Sequence, residues 1–243
     1  MPVERFPPEF EDLLSREGRR VLAGTHRLVG ALADPRRRFL SNGCLLSHSR
    51  IDRLRRLLDR ALYDSLETID RPIPPDSIWQ MRRDYSETLP KTARVLTAYL
   101  ESRREKAWRP AERIGLIAML RSESFVAFAT ALAGRKLARN HGLQVLCYRQ
   151  GDYSGPHNDH HPENRAARRG YIDMHVGFAG PRVAHQFLVY AQAGHLSQSV
   201  AVAGPEVGAT ISAYRLPFWH YTTPLVGKPG AARWVLLGTF LYR

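Results

Sequence analysis

Cysteine is nearly absent from this sequence of 243 residues: only Cys44 and Cys147 occur. That excludes a disulfide framework beyond a single bridge. No apolar run approaches the roughly 20 residues that a membrane helix requires. The first residues, MPVERFPPEFEDLL, lack the basic stretch and apolar core of a secretory leader. Neither an internal repeat nor a low-complexity tract is present. Carboxylates are in deficit, 23 Asp and Glu against 36 Lys and Arg, for a formal charge of +13. These shortages argue against a secreted mini-protein, a membrane protein and a disordered tail. The expectation is a soluble, cytoplasmic protein with no membrane partner, large enough to bury a true core.

Basic charge and histidine fall in different parts of the chain. Residues 1–140 carry 27 basic and 18 acidic residues, whereas residues 141–243 carry 9 and 5. Seven of the ten histidines follow residue 150. A strongly basic chain raises the question of nucleic acid. Nearly all the cations are Arg, a bias that GC-rich coding also produces.

The first half reads as helical. In residues 49–62, Ile51, Leu54, Leu57, Leu58 and Leu62 recur at helical spacing while Arg50, Arg53, Arg56 and Arg60 mostly take the other face. Ser49 and Asp52 resemble a capping box. After a Pro-rich break at 71–77, residues 78–89 and 91–106 are expected to form two helices separated by Pro90. Pro110 is expected to open another, with Ile114, Ile117, Ala118 and Leu120 inward. Residues 122–134 read as an apolar helix closed by Gly134.

The second half changes period. Residues 142–152, 170–178, 184–191, 196–203, 208–216, 218–225 and 233–242 are short β-rich runs divided by Gly, Pro or Ala-Gly turns. Such spacing suggests a sandwich or barrel. The division expected is a mainly helical region, 1–109, supporting a β core over 110–243.

Chemistry concentrates in the run CYRQGDYSGPHNDHHPE, residues 147–163. His157 and Asp159 are two residues apart and share a face if the segment is extended. His220 lies in a later strand pattern. Two His and one carboxylate make a facial set with three open positions, as a non-haem Fe(II) oxygenase requires. Arg233 opens the last strand, and its planar, permanently charged guanidinium suits a bidentate grip on a carboxylate.

In this order the residues resemble the Fe(II)- and 2-oxoglutarate-dependent dioxygenases, nearest to their prolyl-hydroxylase-like branch. The resemblance rests on Tyr148, Gly151, Asp152, His157 and Asp159, then His220, Pro224 and Arg233, and covers roughly residues 110–243. It extends in outline to residue 38, where RRFLSNGCLLSHSRIDRLRRLLD is similar to the family's first strand and helix. It implies an α+β protein with a double-stranded β-helix (jelly-roll) core and the N-terminal helical part packed on it. It implies that His157, Asp159 and His220 bind Fe(II), that Arg233 holds the distal carboxylate of 2-oxoglutarate, and that Tyr148 and Thr222 help position it. With O2, the co-substrate would be decarboxylated to succinate and a substrate C–H bond oxidised. The sequence departs from the family's pattern in its longer turn at 226–232, in Val235 where Ser often stands, and in AHQFLVY before the middle strand.

Other residues have blander assignments. His160 and His161 read as loop residues, and His185 and His195 as strand histidines. Asp173 and His175 share a strand face and could touch substrate if that face lines the barrel. Cys147 reads as a small buried hydrophobe, and Arg36, Arg37 and Arg38 as a solvated face. Three functions are in play. The first is a hydroxylase of a small molecule, amino acid or peptide. The second is an oxygenase of nucleic acid using the basic half, although the second Arg usual in such enzymes is here Thr239. The third is a cupin-like metal-binding protein, since Gly151, His157, Asp159, Glu163 and Gly170 fit that spacing. Convergence of Glu163 on the metal favours the cupin; Arg233 facing the site favours the oxygenase.

Overall fold

A computed structural model describes residues 4–71, 92–157, 159, 170–190, 198–216 and 218–243. The described strands are β1 (Phe39–Asn42), β2 (Glu67–Arg71), β3 (Ala93–Tyr99), β4 (Gly142–Arg149), β5 (Tyr153–His157), β6 (Tyr171–Ala179), β7 (Val183–Tyr190), β8 (Gln198–Ala203), β9 (Ala209–Leu216), β10 (His220–Thr222), β11 (Val226–Gly227) and β12 (Ala232–Leu241). They form one antiparallel sheet in the order β1-β9-β6-β12-β4-β3-β5-β10-β7-β11, with β2 on β3 and β8 on β7. A broad leaf runs from β1 to β3 and a narrow leaf holds β5, β10, β7, β8 and β11. The seam between them is short, Ala93 opposite Ser154 and Arg94 opposite Tyr153. The narrow leaf folds back over the broad one, and a cavity of about 490 Å³ lies between them. This curled sheet is compatible with a jelly roll.

Alternation along the long strands builds both sides of the broad leaf. On β12, Trp234, Leu236 and Phe240 enter the main core, whereas Arg233, Val235, Leu237 and Thr239 line the cavity. On β6, Ile172, Met174, Val176 and Phe178 take the core side, and Tyr171, Asp173 and His175 the cavity side. The core is closed by helices: α1 (Arg16–Leu22), α2 (His48–Ala61), α3 (Trp108–Arg113), α4 (Leu116–Leu120) and α5 (Glu123–Ala133). Ser122 caps α5 by accepting from the Phe125 N–H, and Gly134 ends it at φ 62°. Phe10 packs edge-on against Phe125 and Phe128, with ring centroids 5.1 and 5.5 Å away. The stretch Leu116–Ala133 is apolar on average over 18 residues, although Arg121 and Glu123 interrupt it. Here it breaks at Arg121–Ser122 into α4 and α5, which bury Leu116, Met119, Phe125, Phe128 and Leu132.

Helix α2 buries Ile51, Leu54, Leu57 and Leu58, as its spacing requires. Its arginines are largely matched by acids: Arg55 with Asp52 and Asp59, Arg56 with Asp52, and Arg53 and Arg60 with Glu4. Asp59 also accepts from the Trp234 indole N–H at 2.7 Å, tying the helix to β12.

Three local expectations are corrected. Residues 93–99 are strand β3, not part of a helix. Leu96 and Leu100 mimic a helical repeat, but Val95 and Thr97 alternate with Leu96, and pairing with both β2 and β4 decides the matter. The α2 N-cap is Ser47, so Ser49 sits inside the first turn rather than at the cap. The helix near Pro110 starts at Trp108 and breaks at Gly115, φ 78°, which turns Ala118 to solvent. The helix expected over 78–89 lies outside the described residues. Strands β1, β2 and β3 bring residues from before 110 into the sheet.

Gly238 marks where α5 meets the sheet. A Cβ there would lie 2.8 Å from the rings of Phe125 and Phe240. Gly238→Ala is therefore expected to destabilise the protein by about 1–3 kcal/mol through overpacking. Denaturant titration of Gly238→Ala, Phe125→Leu and the double variant checks it. The two changes should be non-additive, with the smaller side chain relieving part of the cost.

Candidate metal and anion site

The turn after β4 sets the direction of β5. Gly151 adopts φ 79°. Buried Asp152 accepts from the Arg149 N–H at 2.8 Å and pairs with Arg149 and Arg94 at 3.0 and 3.4 Å. Backbone bonds between Gly151 and Leu225 and between Leu225 and Asp152 dock the turn on the segment after β10. Gly155 lets the chain approach Thr92, whose carbonyl accepts from the Gly155 N–H at 2.7 Å. Strand β5 then delivers His157 directly opposite His220 on β10.

The two imidazoles are prepared alike. His157 Nδ1 lies 2.6 Å from the Gly155 carbonyl, and His220 Nδ1 lies 2.8 Å from the Phe218 carbonyl. A carbonyl can only accept, so each Nδ1 carries a proton, and in the neutral ring Nε2 is the nitrogen left to ligate. Both Nε2 atoms face Asp159 Oδ2, at 3.2 and 3.7 Å. Two ligands about 2.1 Å from one ion can be up to roughly 4.3 Å apart, so the spacing fits a single cation. Asp159 has φ 51°, the left-handed value among described non-glycine residues. Asp tolerates that region better than most residues. The Tyr171 hydroxyl donates to its carbonyl.

Arg233 stands opposite Tyr148 in the β12–β4 register. Its side chain lines the same cavity, yet the residue is only 4% exposed. Burial lowers its pKa to about 10, the Tyr148 and Tyr214 hydroxyls acting weakly the other way. Its Nη1 donates to Gln186 Oε1 at 3.1 Å, its Nε has no hydrogen-bond partner, and no described carboxylate pairs with it. Its Cζ lies 5.7 Å from the centre of the Tyr148 ring. Gly177 clears the space: a Cβ there would sit 3.3 and 3.5 Å from Arg233 Nη2 and Nε. A buried cation with unused donors and no counter-charge among the described residues fits an anionic ligand.

The remaining candidates converge on this cavity. Tyr148 hydrogen-bonds through its hydroxyl to Ser154 at 2.9 Å, and Thr222 faces Ser154 in the β5–β10 register. Asp173 and His175 line the wall on β6. His175 Nε2 is 2.9 Å from the hydroxyl of Tyr214. Burial, and then the carboxylates of Asp173 and Asp159, push the Tyr214 pKa well up, so its phenol stays protonated at neutral pH. Cys147 is fully buried, and burial pushes its thiol out of reach of ionisation. His160, His161, Glu163 and His195 lie outside the described residues. Gln186 and Gly177 escaped sequence reasoning, because a lone Gln and a lone Gly in strand patterns have no spacing signal. Tyr214 was equally silent, although its alternation with Ser212 placed both on one face of β9.

No protein-family model and no curated protein matches the sequence. Solved structures do. An oxidoreductase of the 2OG-Fe(II) oxygenase family from Burkholderia pseudomallei aligns over 99% of this chain and 96% of its own, with TM-score 0.58 and 12% identity. A prolyl-4-hydroxylase from Pseudomonas putida aligns over 92% and 99%, with TM-score 0.53 and 14% identity. A non-haem, α-ketoglutarate-dependent carbocyclase of nogalamycin biosynthesis aligns over 98% and 89%, with TM-score 0.53 and 13% identity. At such identities the likeness is one of architecture, and it extends over nearly the whole length of both partners. The chain is built on the fold of the 2-oxoglutarate- and Fe(II)-dependent oxygenases, prolyl-4-hydroxylases among them.

Proposed function

We propose that this protein is an Fe(II)- and 2-oxoglutarate-dependent oxygenase that oxidises a C–H bond of a small molecule, amino acid or peptide. The observation that carries the reading is one cavity that holds both a His157–Asp159–His220 cluster and a buried Arg233 with no described counter-charge. The curled sheet is read as a double-stranded β-helix with helical support. Proteins of this fold include a hydroxylase and a carbocyclase, so the reading stops at C–H oxidation.

His157, Asp159 and His220 would hold the ferrous ion. Bound iron, with O2 and 2-oxoglutarate, supplies the oxidation of the substrate C–H bond. The chain's own part is to hold and to exclude. Gly155 and Phe218 carbonyls hold both rings through Nδ1 and leave both Nε2 atoms aimed at Asp159 Oδ2. Arg233 binds the distal carboxylate of the co-substrate, with Tyr148 and Thr222 beside it. Leu188, Val202 and Val235 line the cavity with apolar surface that displaces water. Asp173, His175 and Tyr214 form the wall on which a substrate would rest.

The cupin-like alternative has no use for a buried Arg in the metal cavity. Glu163, its discriminating residue, lies outside the described residues. For the nucleic-acid alternative, the arginines of α2 are mostly engaged with acids. Thr239, not a second Arg, lies on the cavity face of β12.

Two outcomes are expected. Purified protein should convert 2-oxoglutarate to succinate only with Fe(II), and His157→Ala or Asp159→Ala should lower that rate more than about a hundredfold. Loss of a residue that merely orients a metal ligand already costs about 10–100-fold. Succinate release that survives either change would reject the reading. Arg233→Lys keeps the charge but loses the planar fork. Its KM for 2-oxoglutarate should rise roughly tenfold or more, while Mn(II) affinity, measured by calorimetry, stays unchanged.

A further inference from the structure

Gln186 is an unexpected partner for Arg233. It is fully buried on β7, in the leaf opposite the one that carries the guanidinium. Its amide orientation is determined by its surroundings. The NH2 group donates to the Thr223 carbonyl at 3.0 Å and has the Asp152 carbonyl at 3.5 Å. Carbonyls accept only, so the nitrogen belongs on that side and Oε1 on the side of Arg233 Nη1. A buried guanidinium is normally matched by a carboxylate. Here a neutral isostere of Glu occupies the matching position, and it satisfies one of five donors.

We propose that Gln186 is a positioning residue for 2-oxoglutarate that fixes the orientation of Arg233 while leaving its charge unneutralised for the incoming carboxylate. This inference rests on the oxygenase reading of the site. It explains why burial of Arg233 is tolerated without a counter-ion among the described residues: the anionic ligand is the counter-ion. It also joins the two leaves. One hydrogen bond from β12 to β7 spans the cavity at the anion site, so binding there acts on both leaves.

Two substitutions separate charge from shape. Gln186→Glu conserves size and one acceptor but supplies an internal carboxylate to Arg233. Gln186→Met conserves burial and leaves the charge, but removes the acceptor. The measurement is calorimetric binding of 2-oxoglutarate to Mn(II)-loaded protein without O2, alongside 2-oxobutyrate, which lacks the distal carboxylate. Wild type should prefer 2-oxoglutarate clearly. In folded Gln186→Glu the preference should collapse, with 2-oxoglutarate affinity down roughly thirtyfold or more, and 2-oxobutyrate and Mn(II) affinity unchanged. In Gln186→Met, 2-oxoglutarate affinity should fall by no more than about tenfold, while the ligand-free melting temperature drops. Unchanged preference for 2-oxoglutarate in folded Gln186→Glu would overturn the proposal. So would a Gln186→Met protein that folds and has lost the preference, and this second variant decides the matter if the first does not fold. If Mn(II)-loaded wild type itself binds no 2-oxoglutarate, the oxygenase reading fails instead.

Discussion

The register of β12 is the constraint on which the rest depends. This strand lies at the centre of the broad leaf, paired with β4 on one side and β6 on the other over most of its length. Its even positions hold Trp234, Leu236 and Phe240 against the helices, and its odd positions hold Arg233, Val235, Leu237 and Thr239 in the cavity. Because side chains alternate with period two, a slip of one residue would exchange the two sets. Trp234 would then enter the cavity and the Arg233 guanidinium would enter an apolar core. The helical layer and the cavity are therefore specified together by one strand. Gly238 and the Trp234–Asp59 hydrogen bond add steric and polar detail to the same register.

The chemistry-bearing part was legible because it depends on side-chain type at short range. His157, Asp159, His220 and Arg233 carry distinctive chemistry, and the runs around His220 and Arg233 have β patterns, whereas Asp159 lies past the end of β5 with left-handed backbone instead of sharing an extended segment with His157. Helices α2 and α5 were legible for the same reason, with local period and, for α5, both ends written in Ser122 and Gly134. Strand β3 was not. Leu96 and Leu100 fit a helix as well as they fit a strand and its end, and only long-range pairing with β2 and β4 separates the cases. The supports of the site were equally invisible. Gly177 matters for what it omits, and Gln186 for what it is not, namely a carboxylate. Neither property has a signature in one sequence.

The overall charge acquires a different meaning once partners are known. Many arginines of the helical half face acids of the same surface, notably those of α2 with Asp52, Asp59 and Glu4. Such exposed pairs contribute little each, and they moderate the field that the composition suggests. Arg233 is the opposite case. It is a single cation removed from water with no described acid beside it, and its effect on the cavity exceeds that of any paired surface arginine.

The placement of His157 and His220 bears on how the fold is verified as it forms. They sit at paired positions of β5 and β10, some sixty residues apart in the chain. Each imidazole is oriented by a carbonyl two residues before it, so each is ready before the strands meet. The residues flanking His220, Trp219 just before β10 and Tyr221 within it, are exposed, so a one-residue slip would turn His220 outward. A cation that needs both rings can be retained by only one alignment of these strands. Metal retention in this protein would thus act as a proofreading step, rewarding the chain that has paired β5 with β10 in the right frame.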